Sequence, residues 1–292
     1  MRILVTGASG LLGGRVAELL AENHSVVAAR HVVAPPPQLE SIALDLRDAG
    51  SMQAAIEACR PDAIVHAGAL ADADTCEREP GLASRLNTDA PRELARLSRS
   101  LGLRFVSIST DLVFDGDSAW SDEAVEARPL LLYGRTKLDG ERAILEELPE
   151  AVVFRVALVH GCGFGARSTT SETVAWALAR GAPPRLFTDQ YRTSIDPESV
   201  ASAIAAVLGG RGRGLLHLGG PERLSRLELG LRTARALGLD ARQMVPSQQA
   251  EVALPVPRPL DASMDSSRAS RELGWSARPV DEALAESRRA PT

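Results

Sequence analysis

Lysine is almost missing from this sequence. Its 292 residues include 33 basic side chains, and of these only Lys137 is a lysine. Rings are scarce too, with three Trp, two Tyr (Tyr133 and Tyr191) and five Phe. At a net charge of −5 the chain has neither a basic stripe nor a stacking platform, which excludes nucleic acid as a partner. Cysteine is limited to Cys59, Cys76 and Cys162, an odd, widely spaced set without a CxxC pair. Neither a disulfide framework nor a thiolate zinc site is indicated, and a reducing, cytoplasmic setting is expected. The five histidines never pair at i and i+4, so no metal site is expected. No apolar run approaches the ~20 residues that span a bilayer. The opening MRILVTGASG reads as a buried strand rather than a signal segment, so no membrane partner is expected.

What remains is the balance of a globular protein, 45% apolar and 24% charged, long enough for one large domain or a body with a smaller lobe. The first half alternates short β-branched runs with amphipathic stretches, the pattern of βαβ units. Strands are expected at Arg2–Thr6, Ser25–Ala29, Ala63–His66, Arg104–Ser109 and Ala151–Val156, with helices at Leu12–Glu22, Ser51–Ala58, Pro91–Leu101 and Tyr133–Leu145. Runs such as AIVHA and AVVFRVALV are apolar throughout, as strands are when helices cover both sheet faces. The expected fold is therefore α/β, a doubly wound parallel sheet of Rossmann type with a smaller irregular C-terminal substrate lobe. Residues 1–165 would form the dinucleotide-binding body, with 188–218 returning to it, and 166–187 plus 219–292 the lobe. Trp120, Trp176 and Trp275 are expected as anchors of that lobe.

The first βα turn reads GASGLLGG, with Gly7, Gly10 and Gly13 at GxxGxxG spacing between a strand and a helix. Gly7 permits a tight turn, Gly10 lets backbone approach a pyrophosphate and Gly13 lets helix and strand pack closely, while the helix N-terminus attracts the anion. Ser9, Leu11 and Leu12 complete this expected cofactor contact. At the end of the second strand an acid would accept the ribose hydroxyls of NAD, whereas an arginine pairs with the 2′-phosphate of NADP. Arg30 stands there in VVAARHV, which favours NADPH and leaves NADH open. Small residues Ala67, Gly68 and Ala69 would let the next strand end lie against the cofactor.

Tyr133 and Lys137, in YGRTKLDGE, lie four residues apart, one turn along one helix face. An ammonium beside a phenol lowers its pKa, so the pair suits proton exchange with a carbonyl or alcohol near neutral pH. A guanidinium is planar and bulkier, a physical reason for the one lysine to sit here. Thr110, ending SISTD, can hydrogen-bond a substrate oxygen as charge develops on it.

TGxxGxxG resembles the extended branch of the short-chain dehydrogenase/reductases. STDLVFDG, EAVEARPLLLYGRTKLDGE, DAIVHAGALADAD with LNTDAP, and TDQYRTS resemble, more narrowly, the dTDP-4-dehydrorhamnose reductase family, over residues 1 to about 275. That resemblance implies catalytic Thr110, Tyr133 and Lys137, the last two also touching the cofactor, and an adenine contact at Asp45 and Leu46. It implies NADPH-dependent reduction of the 4-keto group of a nucleotide-linked deoxysugar. Asp111, His160 and Arg258 are the expected substrate contacts, and Asn87 takes the family's Asn position. Superfamily members often form dimers, which leaves a homodimer open.

The chain also departs from the family. RVALVHGCGFG carries Ala157 and His160 where aromatic sugar contacts are usual, and DQYRTS replaces the usual DQ, small residues and PT. Three alternatives therefore stand beside the main reading: reduction of another ketone in secondary metabolism, nucleotide-sugar epimerisation or dehydration with tightly held NAD, and a non-catalytic NADP-binding regulatory subunit. Arg30 and the STD motif count against the second, and the intact Thr110, Tyr133 and Lys137 count against the third.

Overall fold

The structure, a computed structural model, describes residues 1–165, 168–182 and 184–287. The ends of the expected lobe segments at 166, 167 and 288–292 therefore lie outside the described residues. The N-terminal half runs β1 (Arg2–Thr6), α1 (Leu11–Ala21), β2 (Ser25–Arg30), β3 (Glu40–Ala43), α2 (Ala49–Cys59) and β4 (Ala63–His66). Two short helices follow, α3 (Ala73–Arg78) and α4 (Pro80–Ser84), then a π-helical turn at Arg85–Asp89 that leads into α5 (Ala90–Leu101). β5 (Arg104–Thr110), α6 (Leu132–Glu147) and β6 (Val152–Val156) complete this half. The remainder comprises α7 (Thr170–Ala179), β7 (Arg185–Phe187), β8 (Tyr191–Arg192), α8 (Pro197–Leu208), β9 (Gly214–Leu218), β10 (Leu224–Ser225), α9 (Arg226–Leu237), β11 (Val245–Ser247), α10 (Ser267–Leu273) and α11 (Val280–Ser287).

Seven strands pair in the order β3-β2-β1-β4-β5-β6-β9, all parallel. Alternate residues of each strand serve opposite faces. Ile3 and Val5 join one core with Val16, Ala17 and Leu20 of α1 and Val200, Ile204 and Val207 of α8. Leu4 and Ile64 join the other with Met52 and Ile56 of α2, Leu94 of α5 and Ile144 of α6. The expected doubly wound sheet is thus present, and strand order reverses at β1 and β4, where ligands of such sheets bind.

A smaller body is built on α7, β7 and α9, with Val174, Leu178, Leu186, Ala234 and Met244 as its core. Its start was hidden in the sequence by the Gly- and Ser-rich stretch before it. Thr169 and Glu172 nevertheless form a capping box, in which each side chain bonds the other's backbone N–H, and that S/T-x-x-E signal was readable. β8 and β10 pair antiparallel, whereas α8 and β9 return to the body and sheet. Ion pairs that join the parts include Arg258–Asp74 at 2.9 Å and Arg192–Asp111 at 3.5 Å. Of the three tryptophans expected as anchors, only Trp275 is buried, its Nε1 donating to the Ser199 carbonyl at 2.9 Å. Trp120 and Trp176 are about half exposed, a correction with a local cause. Trp120 sits at φ 57° in the loop after β5, and Trp176 falls off the α7 face that carries Val174 and Leu178.

Candidate active site

The turn after β1 is packed too tightly for side chains. A Cβ at Gly7, whose φ is +72°, would lie 2.5 Å from the Ala67 carbonyl carbon and the Gly68 nitrogen. A Cβ at Gly13 would lie 2.3 Å from the Gly7 oxygen. Gly10 caps α1 and donates its N–H to Gly7 O at 2.9 Å. Ser9, Leu11 and Leu12 stay half-buried around this N-terminus. Residues 163–165 lie over it: Phe164 donates its N–H to Leu11 O at 3.0 Å and packs its ring on Gly14. Leu46 meets Gly68, where a Cβ would be 2.5 Å from Leu46 Cδ1. Glycine turn, helix N-terminus, Leu46 and the small β4 end, with Ala67 half-buried and Ala69 exposed, thus form one bare backbone cradle. Such a cradle fits the pyrophosphate of a dinucleotide.

Arg30 ends β2, exposed and in register with Ala43. Asp45, two residues beyond, is gripped by Arg47 through Nε at 2.9 Å and Nη2 at 2.7 Å, which holds its carboxyl down at about 2. The His31 Nε2 stands 3.4 Å from the same carboxylate. Arg47 and His31, whose Nη2 and Nε2 lie 3.1 Å apart, also stand at this corner; sequence reading missed them because the ends of β2 and β3 come together only when those strands pair.

Across the cradle, β5 ends at Thr110. Its hydroxyl donates to Asp111 Oδ1 at 3.1 Å and accepts the Leu112 N–H at 3.2 Å, capping a 3-10 turn. Tyr133 is the second residue of α6, half-buried. Lys137 lies one turn further along that helix, 5% exposed, with Nζ donating to the Ile108 carbonyl at 2.7 Å. Burial pushes its pKa down to about 8, partly opposed by Glu141. On β4, His66 bonds Thr6 through Nδ1 at 2.7 Å, and burial together with Lys137 pushes it down to about 3. It is therefore neutral and cannot compete with the phenol as an acid near pH 7. Asn87 bridges the Leu70 backbone to Thr136 of α6, spending its amide on structure.

Above Thr110, the Asp111 carboxyl is buried with Oδ2 lacking a hydrogen bond, and burial raises its pKa despite Arg192 beside it. Arg258 reaches Asp74, and its Nη1 is buried without a hydrogen bond. Asp111 and Arg258 thus both have polar atoms to spare on the side where the lobe meets the body. His160 is placed differently from the expectation of a substrate contact. It is 0% exposed and enclosed near Asp196, Arg278 and Glu222, with burial pushing it down to about 4. His160 N also donates to Ile195 O at 3.0 Å, and the fully buried ring offers no surface to a sugar.

A parallel sheet with a glycine cradle at its switch point and a Tyr–Lys pair beside it defines the class: an extended short-chain dehydrogenase/reductase, an NAD(P)-dependent oxidoreductase. Residues 1–290 match the RmlD substrate binding domain, and the chain belongs to that family. It is 31% identical to the probable low-salt glycan biosynthesis reductase Agl14 of Haloferax volcanii over 98% of this chain and 96% of that one. It is likewise 31% identical to methionine adenosyltransferase 2 subunit beta of Xenopus laevis, over 91% of this chain and 81% of that one. Among solved structures, a hypothetical dTDP-4-dehydrorhamnose reductase from Sulfolobus tokodaii matches with a TM-score of 0.83 at 31% identity, covering 96% of this chain and 98% of its own. Among the described residues no helix is long and apolar enough to cross a membrane, and no cluster of metal-ligating side chains is found.

Proposed function

We propose that the protein is an NADPH-dependent ketoreductase whose substrate is the 4-keto group of a nucleotide-linked deoxysugar. The observation that carries this reading is the setting of the chain's only lysine: buried, anchored on Ile108 O, and one helical turn from Tyr133. Gly7, Gly10 and Gly13 would hold the cofactor's pyrophosphate, and Arg30, with Arg47 and His31 near it, its 2′-phosphate; when bound, the cofactor supplies the hydride.

The protein's part is proton delivery. Tyr133 gives its phenolic proton to the carbonyl oxygen, and the Lys137 ammonium stabilises the phenolate left behind. The Thr110 hydroxyl turns from Asp111 Oδ1 to the same oxygen and donates to it as negative charge builds. Asp111 and Arg258, whose Oδ2 and Nη1 lack a hydrogen bond, are the groups for the sugar and its nucleotide.

The resemblance to a reductase of dTDP-4-dehydrorhamnose makes that sugar the substrate of choice for a test. NADPH and NADH consumption with dTDP-4-dehydrorhamnose, beside a Tyr133→Phe control, separates the readings. Turnover with NADPH that disappears in Tyr133→Phe, while cofactor binding persists, is the expected result. Full activity in the variant would remove Tyr133 from the mechanism. Similarity to the methionine adenosyltransferase beta subunit favours a second reading, a non-catalytic NADP-binding regulatory subunit, for which tight NADPH binding without turnover on any 4-keto sugar is the signature.

A further inference from the structure

We propose that Glu141 is a positioning residue that holds Lys137 as an ammonium beneath Tyr133, with Arg155 as the fixed counter-charge behind it. This rests on the catalytic roles of Tyr133 and Lys137 given above. Tyr133, Lys137 and Glu141 follow one another at four-residue spacing along α6 and so lie on one face of that helix. The outermost is half-buried, and Lys137 and Glu141 are 5% and 4% exposed.

Glu141 is held from two strands. The Ser109 hydroxyl of β5, next to Thr110, donates to its Oε1. Arg155 of β6, itself 4% exposed, grips the carboxylate as a fork, Nη2 to Oε2 at 2.8 Å and Nε to both oxygens at 3.1 Å. The fork geometry fixes where the negative charge sits. Arg155 is fixed in turn: its guanidinium lies 5.2 Å above the Phe114 ring, and its Nη1 faces His217 Nε2 at 3.4 Å. His217 Nδ1 donates to the Ser121 carbonyl at 3.1 Å. The chain of contacts thus begins at Lys137's helix and ends in the loop that delivers Tyr133.

Lys137 has little else to keep it charged. Facing it are Glu141 and Tyr133 on its own helix, neutral His66 on β4, the Ile108 carbonyl and Ser109 on β5, and Asn87 across the crevice it shares with Glu141. Burial favours loss of its proton, and Glu141 is the one carboxylate that opposes this. An uncharged Lys137 would no longer stabilise a Tyr133 phenolate by charge, so the fold rather than solvent must keep Lys137 protonated.

The single lysine makes a direct test available. In full-length protein carrying 13Cε-lysine, Lys137 gives one side-chain resonance, whose titration is read without any turnover. In Glu141→Gln its midpoint falls by half a pH unit or more, and the alkaline limb of kcat/KM falls with it. A charge-free pair, Glu141→Gln with Arg155→Gln, keeps hydrogen-bonding groups in place and serves if the single variant fails to fold. Its midpoint lies between wild type and the single variant, because the nearer charge lost is the favourable one. Wild-type midpoints in folded variants would overturn the proposal. Failure of the catalytic reading shows elsewhere, as turnover retained in Tyr133→Phe.

Discussion

Three buried histidines make this fold sensitive to mild acid. Burial holds His66 and His217 at about 3 and His160 at about 4. An unfolded histidine titrates near ~6.5, so below that pH the unfolded chain binds three protons that the native state refuses. The stability is therefore complete above pH ~6.5 and lost as pH falls toward the folded values. Each histidine contributes about 1.4 kcal/mol per pH unit in that window, so going from pH 7.5 to 5.5 removes about 4 kcal/mol for the three, against the ~5–15 kcal/mol of an ordinary domain. Most carboxylates held low, such as Asp45 at about 2, act only below this window. Asp111, whose pKa is raised, works in the opposite sense. It takes up a proton more readily folded than unfolded and returns part of the loss as pH falls through its folded value. Urea titrations at pH 7.5, 6.5 and 5.5, followed by tryptophan fluorescence, measure the slope. His160→Leu isolates one contribution, because neither ring nitrogen has a hydrogen bond to lose. Its loss between the two extremes should be smaller by about 1.4 kcal/mol. A wild-type stability that changes by less than one proton's worth, or a His160→Leu slope equal to wild type, refutes the reasoning.

Gly13→Ala places a Cβ 2.3 Å from the Gly7 carbonyl oxygen. It should cost about 1–3 kcal/mol of stability and weaken NADPH binding at least tenfold, as read by denaturation and by cofactor fluorescence. Arg30→Ala should weaken NADPH binding and leave NADH binding nearly unchanged; equal losses for the two would move the 2′-phosphate elsewhere. Arg278 pairs with buried Asp196 at 2.6 Å and also with Glu198 and Glu286. Arg278→Met therefore leaves a buried carboxylate uncompensated, and should destabilise the protein by about 3–5 kcal/mol, with no such loss in Arg242→Met, whose partner Asp240 is surface-exposed.

Much of this protein follows from local pattern. The βαβ alternation is written in short-range hydrophobic periodicity, and β1, β4, β5, α5 and α6 lie at or within a residue or two of their expected bounds. The glycine turn and the Tyr133–Lys137 spacing were legible because each depends on residues close in the chain. Elements whose stability comes from distant partners were not. β3 is four residues with mostly exposed side chains, made a strand by pairing with β2. Among aspartates and small residues, α3 and α4 lack the apolar period that announces a helix. The same limit governs the site. Glu141 and Arg155 are 14 residues apart, and Arg155 and His217 are 62 apart, so no spacing rule joins them. His160 reads as a pocket residue from its place after β6, but the bridge between Val159 and Ile195 helps enclose it. Sequence set which residues could do the chemistry, through helix pitch and turn geometry. Only the folding of β5, β6 and β9 side by side decided which charges stand behind Lys137, because electrostatics depends on distance through the protein and not along the chain.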